Sequence, residues 1–400
     1  MRRCLAFLLP VLTFCTVCRA MIMPDIYSEN MMIQAGKAFY IKGWAKPFAE
    51  IKAEIEGLEL FAKAEEDGKW KIKFPAFARG SCFDILLKTA DEDARIIRNV
   101  LAGDIWFCSG QSNMEMKAGS TDVGAALRVA GIDNIRYFIA SNQPSEKKVE
   151  DLKGKWVVVN QQNYIECSAL ALSFGYYLVN SLDYPVGLIV GAVGGTPIES
   201  WTQLELLKSK DYNRHIFQER ELWKKNRAVY LKKHEEKRRQ WEERVRLAKV
   251  NKTALPSKVF LPFELRENWE PGCLYNAIVW PLKDFVIKGV LWYQGESNTK
   301  HPFVYRYQLA DLVHCWRETF NAPGLPFFIV QLPEFNRDPG WKPLQESQAA
   351  AAKLNNCGLI VAVGLGDSLN IHPRRKMELG RRAASRVLHE VYNDRQEGVL

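Results

Sequence analysis

Short apolar runs alternate with longer helical stretches over the last three quarters of the chain. Each run has the length and composition of a buried strand, and stretches such as Ala169–Leu182 and Tyr305–Phe320 have helical spacing. This alternation predicts an α/β fold for residues 102–400, with a parallel sheet covered by helices on both faces. The five runs are Ile105–Cys108, Val186–Val190, Val290–Tyr293, Phe327–Gln331 and Leu359–Val363.

The first part of the chain has a different pattern, with short alternating segments between turn signals such as Asp67-Gly68 and Arg79-Gly80. Strands at this spacing predict a small all-β sandwich domain over residues 21–101. All six histidines lie beyond it, so we expect it to carry no catalytic residue. The strand-like segments are Ala38–Trp44, Glu50–Glu56, Lys69–Phe74 and Phe83–Lys88.

Residues 1–20 have the features of a secretory signal. Arg2 and Arg3 precede a charge-free run from Cys4 to Val17, and Cys18-Arg19-Ala20 resembles a cleavage site. The run is shorter than the roughly 20 apolar residues that cross a bilayer, and no later stretch qualifies. We therefore expect a secreted or periplasmic protein, lysosomal or extracellular if the source is eukaryotic, without stable membrane insertion.

The positive charge of the chain is concentrated in one segment. The formal net charge is +9, and it falls to +6 when Arg2, Arg3 and Arg19 leave with the signal. Residues 215–250 hold twelve Lys and Arg against six Glu, which accounts for that excess. Apolar residues recur there at helical spacing, which favours a solvated helical insertion at about 204–270 over an anion-binding tract. We expect the insertion to shape access to the site, and we expect no nucleic-acid partner.

Six cysteines remain once the signal is removed, an even number for an oxidising compartment. Disulfides are therefore possible, but six cysteines allow 15 full pairings and the sequence does not select among them. None of the six forms a Cys-x-x-Cys pair, so the sequence indicates neither a zinc ribbon nor a thioredoxin-like site. They are Cys82, Cys108, Cys167, Cys273, Cys315 and Cys357.

The loop after the first apolar run carries a serine with the setting of a nucleophile. Ser109-Gly110-Gln111-Ser112 forms a glycine-containing turn from strand to helix, which can surround the Ser112 hydroxyl with backbone N–H groups. Taken alone, such a serine is more often a helix N-cap than a nucleophile. The turn is not a G-x-S-x-G elbow, because Met114 stands at the second glycine position.

The loops after three other runs supply further reactive groups. Gly194 and Gly195 can present bare N–H groups, and Gln294-Gly295-Glu296 places an amide and a carboxylate beside a glycine. The last loop holds Asp367 and His372, a candidate general base with an orienting carboxylate. Because the carboxyl ends of parallel strands meet at one edge, we expect one site that performs acyl transfer.

With these motifs in this order, the chain resembles the sialate O-acetylesterase family, carbohydrate esterases of the SGNH (GDSL-like) hydrolase superfamily. The resemblance implies an SGNH-type sheet and hydrolysis of acetyl esters on a sugar, such as O-acetylated sialic acid, through an acetyl-enzyme without metal or cofactor. It implies Ser112 as nucleophile, His372 as general base, and oxyanion or substrate contacts from Gly194, Gly195, Gln294, Gln111 and Asn113. The motifs are Ile105–Glu115, Gly194–Trp201, Trp292–Asn298 and Ile371-His372-Pro373.

The chain departs from the family pattern at the carboxylate that should orient His372. Family members commonly have Asp-Leu-Gly-Asp where this chain has Gly364-Leu365-Gly366-Asp367, and many SGNH enzymes have aspartate where Leu369 stands. Two carboxylates are therefore candidates for the group that orients His372: Asp367, which we favour, and Glu296. Two other functions also stay open: an esterase for another acetylated glycan such as xylan, and a catalytically silent carbohydrate-binding relative.

Overall fold

The computed structural model describes residues 21–393, except 91, 142, 257, 258, 263 and 264. The predicted secretory signal at 1–20 lies outside these residues. Within the described part of the chain, no helix is both long enough and apolar enough to cross a membrane.

Six strands precede the α/β part. Strand β3 pairs with β4 and β6, and β2 pairs with β5, all in antiparallel fashion. Alternate residues of β5 are buried, as the alternating sequence predicts for a strand with one covered face. The sequence did not indicate β4, most of which is exposed. The strands are β1 (Met32–Gln34), β2 (Phe39–Trp44), β3 (Glu50–Ile55), β4 (Leu58–Lys63), β5 (Lys69–Phe74) and β6 (Cys82–Thr89).

Strand β7 (Glu92–Gly110) is 19 residues long and belongs to both parts of the structure. Its first half pairs antiparallel with β6, and β1 lies parallel to residues 101–103. Its second half, from Asp104 to Gly110, is the middle strand of the α/β sheet. The boundary predicted near residue 101 therefore falls inside one continuous strand.

The strands of the α/β sheet have the order β13-β12-β11-β7-β10-β8-β9. All neighbours are parallel except β9, which runs antiparallel to β8. The prediction of an α/β sheet is confirmed. The remaining strands are β8 (Ile135–Ala140), β9 (Gly154–Val158), β10 (Val186–Ala192), β11 (Gly289–Tyr293), β12 (Phe327–Val330) and β13 (Cys357–Ile360).

Helices cover both faces of this sheet, as the unbroken apolar runs of its strands require. Consecutive residues of β7 show the two faces, since Trp106 contacts Phe174 and Phe107 stacks on Trp316. The helices are α1 (Ser112–Glu115), α2 (Asp122–Ala126), α3 (Ala169–Leu182), α4 (Leu204–Lys208), α5 (Arg214–Lys225), α6 (Arg227–Val250), α7 (Pro302–Thr319), α8 (Trp341–Ala351) and α9 (Lys376–Val391).

The last strand ends earlier than the sequence predicts. The apolar run suggested Leu359–Val363, whereas β13 is Cys357–Ile360. The carbonyl oxygens of Val361 and Val363 accept hydrogen bonds from the Arg382 side chain at 3.0 and 2.8 Å instead of from a strand. Arginine from α9 thus stabilises an irregular segment that leads into the loop with His372.

All six cysteines of the described residues are free thiols. Cys108, Cys167, Cys273 and Cys315 are buried among apolar side chains. The packed core, rather than cross-links among these cysteines, therefore stabilises the described structure.

Gly110 ends β7 in a backbone conformation that L-residues rarely adopt, with φ at 140°. A Cβ at this position would lie 2.0 Å from the carbonyl oxygen of Tyr293 on β11. Only glycine therefore allows β7 to turn into α1 while β11 remains paired beside it.

We expect Gly110→Ala to lower the free energy of unfolding by more than about 2 kcal/mol, because backbone strain and a steric clash coincide. Gly131→Ala is the matched control, since a Cβ there would meet no atom within 4 Å. Chemical denaturation of both variants measures the difference. Equal stability of the two variants would contradict the role assigned to Gly110.

Candidate active site

Four loops at the carboxyl edge of the sheet hold the residues predicted to carry chemistry. Gly110 on β7 is paired with Ala192 on β10 and with Tyr293 on β11. The loops that begin at residues 111, 193 and 294 therefore start side by side. The Ser109 hydroxyl donates to the Gly191 carbonyl at 2.7 Å, which ties the ends of β7 and β10 together.

Ser112 and His372 form the central pair of this edge. The two residues are 260 positions apart in sequence, yet Ser112 Oγ lies 2.7 Å from His372 Nε2. Ser112 is the first residue of α1, where a backbone N–H has no partner one helical turn earlier. The structure thus brings the predicted nucleophile and the predicted base into hydrogen-bonding contact.

The surroundings of His372 favour its neutral form. Burial lowers its pKa, and the positive charge of Lys376 lowers the pKa further. A neutral imidazole at neutral pH can take the proton of the Ser112 hydroxyl. Among the described residues, the contact with Ser112 is the one hydrogen bond of this imidazole ring.

Asp367 is not brought to His372 by the structure. Its carboxylate is exposed, and its Oδ1 accepts hydrogen bonds from the backbone N–H groups of Leu369 and Asn370 at 2.9 and 3.2 Å. Short aspartate loops commonly close on themselves in this way. The loop that we expected to fold Asp367 back onto the imidazole instead uses that carboxylate to hold its own turn.

Glu296 contacts Asn113 rather than His372. Asn113 Nδ2 donates to Glu296 Oε1 at 2.6 Å and to the Ile371 carbonyl at 3.0 Å. Asn113 Oδ1 accepts from Lys376 Nζ at 2.7 Å. Asn113, the residue after the nucleophile, therefore joins a carboxylate, an ammonium group and the backbone next to His372.

Lys376 is a site residue that the sequence reasoning missed. Its relative exposure is 0%, and burial lowers its pKa to about 8. Nearby Glu296 and Asp122 favour its charged form, whereas burial raises the pKa of Glu296. A signal was present, because Lys376 stands on the buried stripe of α9 with Leu379, Gly380 and Ala383. A lysine in an apolar stripe is seldom fully buried without a partner.

The glycine loop lies directly beside the nucleophile. A Cβ on Gly194 would be 3.5 Å from Ser112 Cβ, so the Gly194 backbone faces that residue closely. The Gly194 N–H donates to Glu115 Oε2 at 2.8 Å, and burial raises the pKa of the Glu115 carboxyl. The Gly195 carbonyl accepts from Trp269 Nε1 at 2.5 Å.

Gln111 and Gln294 lie beneath the loops. Both are buried, and their side-chain amides are 3.1 Å apart. Gln294 Nε2 donates to the Thr196 carbonyl at 3.1 Å and to Asn298 Oδ1 at 2.7 Å. Its Oε1 accepts from the Tyr305 hydroxyl at 2.8 Å. Gln294 thus braces the loops through protein contacts, although the motif suggested a direct oxyanion contact.

Among the described residues, no three His, Cys, Asp or Glu side chains are grouped so that they could bind one metal ion.

Comparisons with known proteins identify relatives of this chain. The alignment with the sialate O-acetylesterase of Mus musculus is 412 positions long and has 27% identity. It covers 90% of this chain and 72% of that protein. The human sialate O-acetylesterase is 27% identical over 400 residues, covering 89% of this chain and 68% of the relative. A crystal structure of a carbohydrate acetylesterase from Xanthomonas citri matches with a TM-score of 0.77 and 26% identity, covering 94% and 76% of the two chains.

A protein-family sequence model also matches this chain, at residues 102–235 and 264–389. Its description is carbohydrate esterase, sialic acid-specific acetylesterase. These two segments make up more than half of the chain and include Ser112, Gly194, Gln294 and His372. The chain therefore belongs to this family of carbohydrate esterases.

Proposed function

We propose that this chain is a serine esterase that hydrolyses acetyl esters on sugar hydroxyls, with O-acetylated sialic acid as its main substrate. The observation that carries the proposal is the 2.7 Å contact between Ser112 Oγ and His372 Nε2. The names of the relatives support the substrate class, because two are sialate O-acetylesterases and one is a carbohydrate acetylesterase.

The reaction has two halves, with Ser112 as nucleophile and His372 as base. Ser112 Oγ attacks the acetyl carbonyl carbon while His372 Nε2 takes the hydroxyl proton. The tetrahedral intermediate breaks its bond to the sugar oxygen, and His372 returns the proton to that oxygen. Water then attacks the acetyl-serine with His372 again as base, which releases acetate and restores Ser112.

The N–H groups of Ser112 and Gly194 are the donors that we assign to the oxyanion. Gly194 donates to Glu115 in this structure, so the substrate carbonyl replaces that carboxylate when it binds. The Ser112 N–H is in place before the reaction, whereas the Gly194 N–H becomes available to the oxyanion only when Glu115 leaves it. We assign Gln294 and Asn113 to positioning, because protein atoms occupy their polar groups.

Ser112→Ala should decrease acetate release by at least about 10³-fold, because the residual activity comes from oxyanion binding alone. The melting temperature should stay close to that of the wild-type protein, since among the described residues the Ser112 hydroxyl bonds only to His372. Ser368→Ala, an exposed serine in the loop of His372, is the control. Acetate release from an O-acetylated sialic acid measures both variants, and near wild-type turnover in Ser112→Ala would refute the nucleophile.

The group that positions His372 is, in our proposal, the set Lys376, Asn113 and Glu296. Asn113 Nδ2 donates a hydrogen bond at 3.0 Å to the carbonyl of Ile371, the residue before His372. Lys376 donates to the oxygen of the Asn113 amide and Glu296 accepts from its nitrogen. These two contacts determine the orientation of the amide. Lys376 also adds a positive charge that opposes protonation of His372.

Lys376→Met should therefore raise the pKa of His372. The acid limb of the kcat/KM profile should move to higher pH by roughly half a unit, because a nearby cation no longer opposes protonation. Lys376→Arg keeps the charge and should keep the profile. If loss of the charge partner of Glu296 unfolds the Met variant, the Lys376→Met/Glu296→Gln double variant is compared with Glu296→Gln alone, so that the two proteins differ only in the Lys376 charge. An unchanged acid limb in a folded variant without Lys376 would refute its electrostatic role.

Asp367→Asn and Glu296→Gln separate the two candidate carboxylates. We expect Asp367→Asn to keep turnover within about threefold, since an amide oxygen can still accept the two backbone bonds of its loop. Glu296→Gln should lower the free energy of unfolding by about 3 kcal/mol, because it leaves the buried Lys376 without its counter-charge. Turnover and denaturation of both variants test this. Loss of activity in Asp367→Asn with full activity in Glu296→Gln would reverse the assignment.

A further inference from the structure

A cavity of about 220 Å³ lies between helix α5 and the loop that follows β11, and neither Ser112 nor His372 is among its lining residues. This volume is below the about 300–1,000 Å³ typical of sites for drug-sized ligands. It suits one sugar ring rather than an oligosaccharide. Twelve residues line it, and they include Glu199, Glu219, Trp223, Trp269, Asn298 and His301.

The walls of the cavity are connected to the catalytic loops by hydrogen bonds. Trp269 Nε1 donates to the carbonyl of Gly195, next to the proposed oxyanion donor Gly194. Asn298 Oδ1 accepts from Gln294 Nε2, and Asn298 Nδ2 donates to Glu199 Oε2 at 2.9 Å. The side chains on one side of the cavity therefore belong to the same network that holds the loops around Ser112.

The chemical character of the walls matches a sugar. Trp223 and Trp269 provide indole rings on which the C–H face of a pyranose can pack. The Glu199 side chain, which Asn298 Nδ2 holds through Oε2, provides a polar group for a sugar hydroxyl. Pockets that combine aromatic walls with a few fixed polar groups are typical of small-molecule recognition.

The charges of the cavity favour the hydroxyl-bearing part of a substrate over its carboxylate. Glu219 accepts from Lys300 Nζ at 2.6 Å and from His301 Nε2 at 3.1 Å. Arg220 is paired with Glu270. Among the described lining residues, Lys300 and Arg220 thus already have a carboxylate partner. Burial raises the pKa of Glu199, and in either protonation state this side chain provides no positive charge for a substrate carboxylate.

We propose that this cavity binds an uncharged, hydroxyl-rich portion of the acetylated sugar while the acetyl group lies at Ser112. The inference rests on the proposed function and adds where the sugar is recognised and by which chemistry. It assigns a substrate-binding role to the insertion helix α5 through Trp223.

Trp223→Ala tests the proposal in two esterase assays, one with an O-acetylated sialic acid and one with 4-nitrophenyl acetate, which has no sugar. We expect KM for the sugar ester to rise about tenfold, a factor that one lost aromatic contact can supply. The ratio of the two kcat/KM values should fall by a similar factor. Glu199→Gln should change that ratio in the same direction.

Leu222→Ala is the matched control, because Leu222 is the neighbouring residue on α5, is 55% exposed and does not line the cavity. It should leave both activities unchanged. The carboxamide analogue of the sialic acid ester removes the substrate charge, and the tenfold effect of Trp223→Ala should persist with it. An effect confined to the charged substrate, or an equal loss on both esters, would overturn the proposal.

Binding measured without turnover separates this inference from the proposed function. In the Ser112→Ala protein, saturation-transfer NMR with the O-acetylated sialic acid should show binding that Trp223→Ala weakens. A wild-type protein that cleaves neither ester would refute the proposed function and leave this measurement valid. Equal binding with and without Trp223 would refute the cavity as the sugar site.

Discussion

The parallel pairing of β7 with β10 on one side and β11 on the other determines where the reactive groups lie. Because Gly110 is in register with both Ala192 and Tyr293, three loops begin at nearly the same height. The close approach of Gly110 to the Tyr293 carbonyl leaves no room for a side chain. The position of Ser112 is therefore a consequence of backbone packing in the centre of the sheet, before any catalytic contact is considered.

Sequence patterns predicted the elements that depend on local chemistry and burial. Helix α3 has the predicted bounds Ala169–Leu182, and strand β5 has the predicted bounds Lys69–Phe74, since both combine a clear apolar period with turn signals. The Ser112 and His372 loops were predicted because they follow buried strands. The hydrogen bonds of Asp367 were not predictable in this way, because the path of a short loop decides which donor a carboxylate meets.

Buried Lys376 and partly buried Glu296 both contact Asn113, and their charges help to fix the orientation of its amide. Removing both ions from water costs free energy that their attraction offsets only with well-placed hydrogen bonds. Asn113 provides these bonds, since its oxygen accepts from Lys376 and its nitrogen donates to Glu296. An apolar pair at these positions would pack without fixing the amide, and the Ile371 carbonyl next to His372 would lose its donor.

Glu115 adds an electrostatic constraint on the same site. Its carboxylate accepts from Gly194 N–H at 2.8 Å, the donor that we assign to the oxyanion. An oxyanion and a carboxylate at one donor repel each other, so Glu115 must leave the Gly194 N–H before the intermediate forms. Burial raises the pKa of Glu115 and lowers that of His372. Both shifts favour the neutral form of the group: a Glu115 carboxyl repels the oxyanion less than a carboxylate does, and a neutral His372 can accept the serine proton.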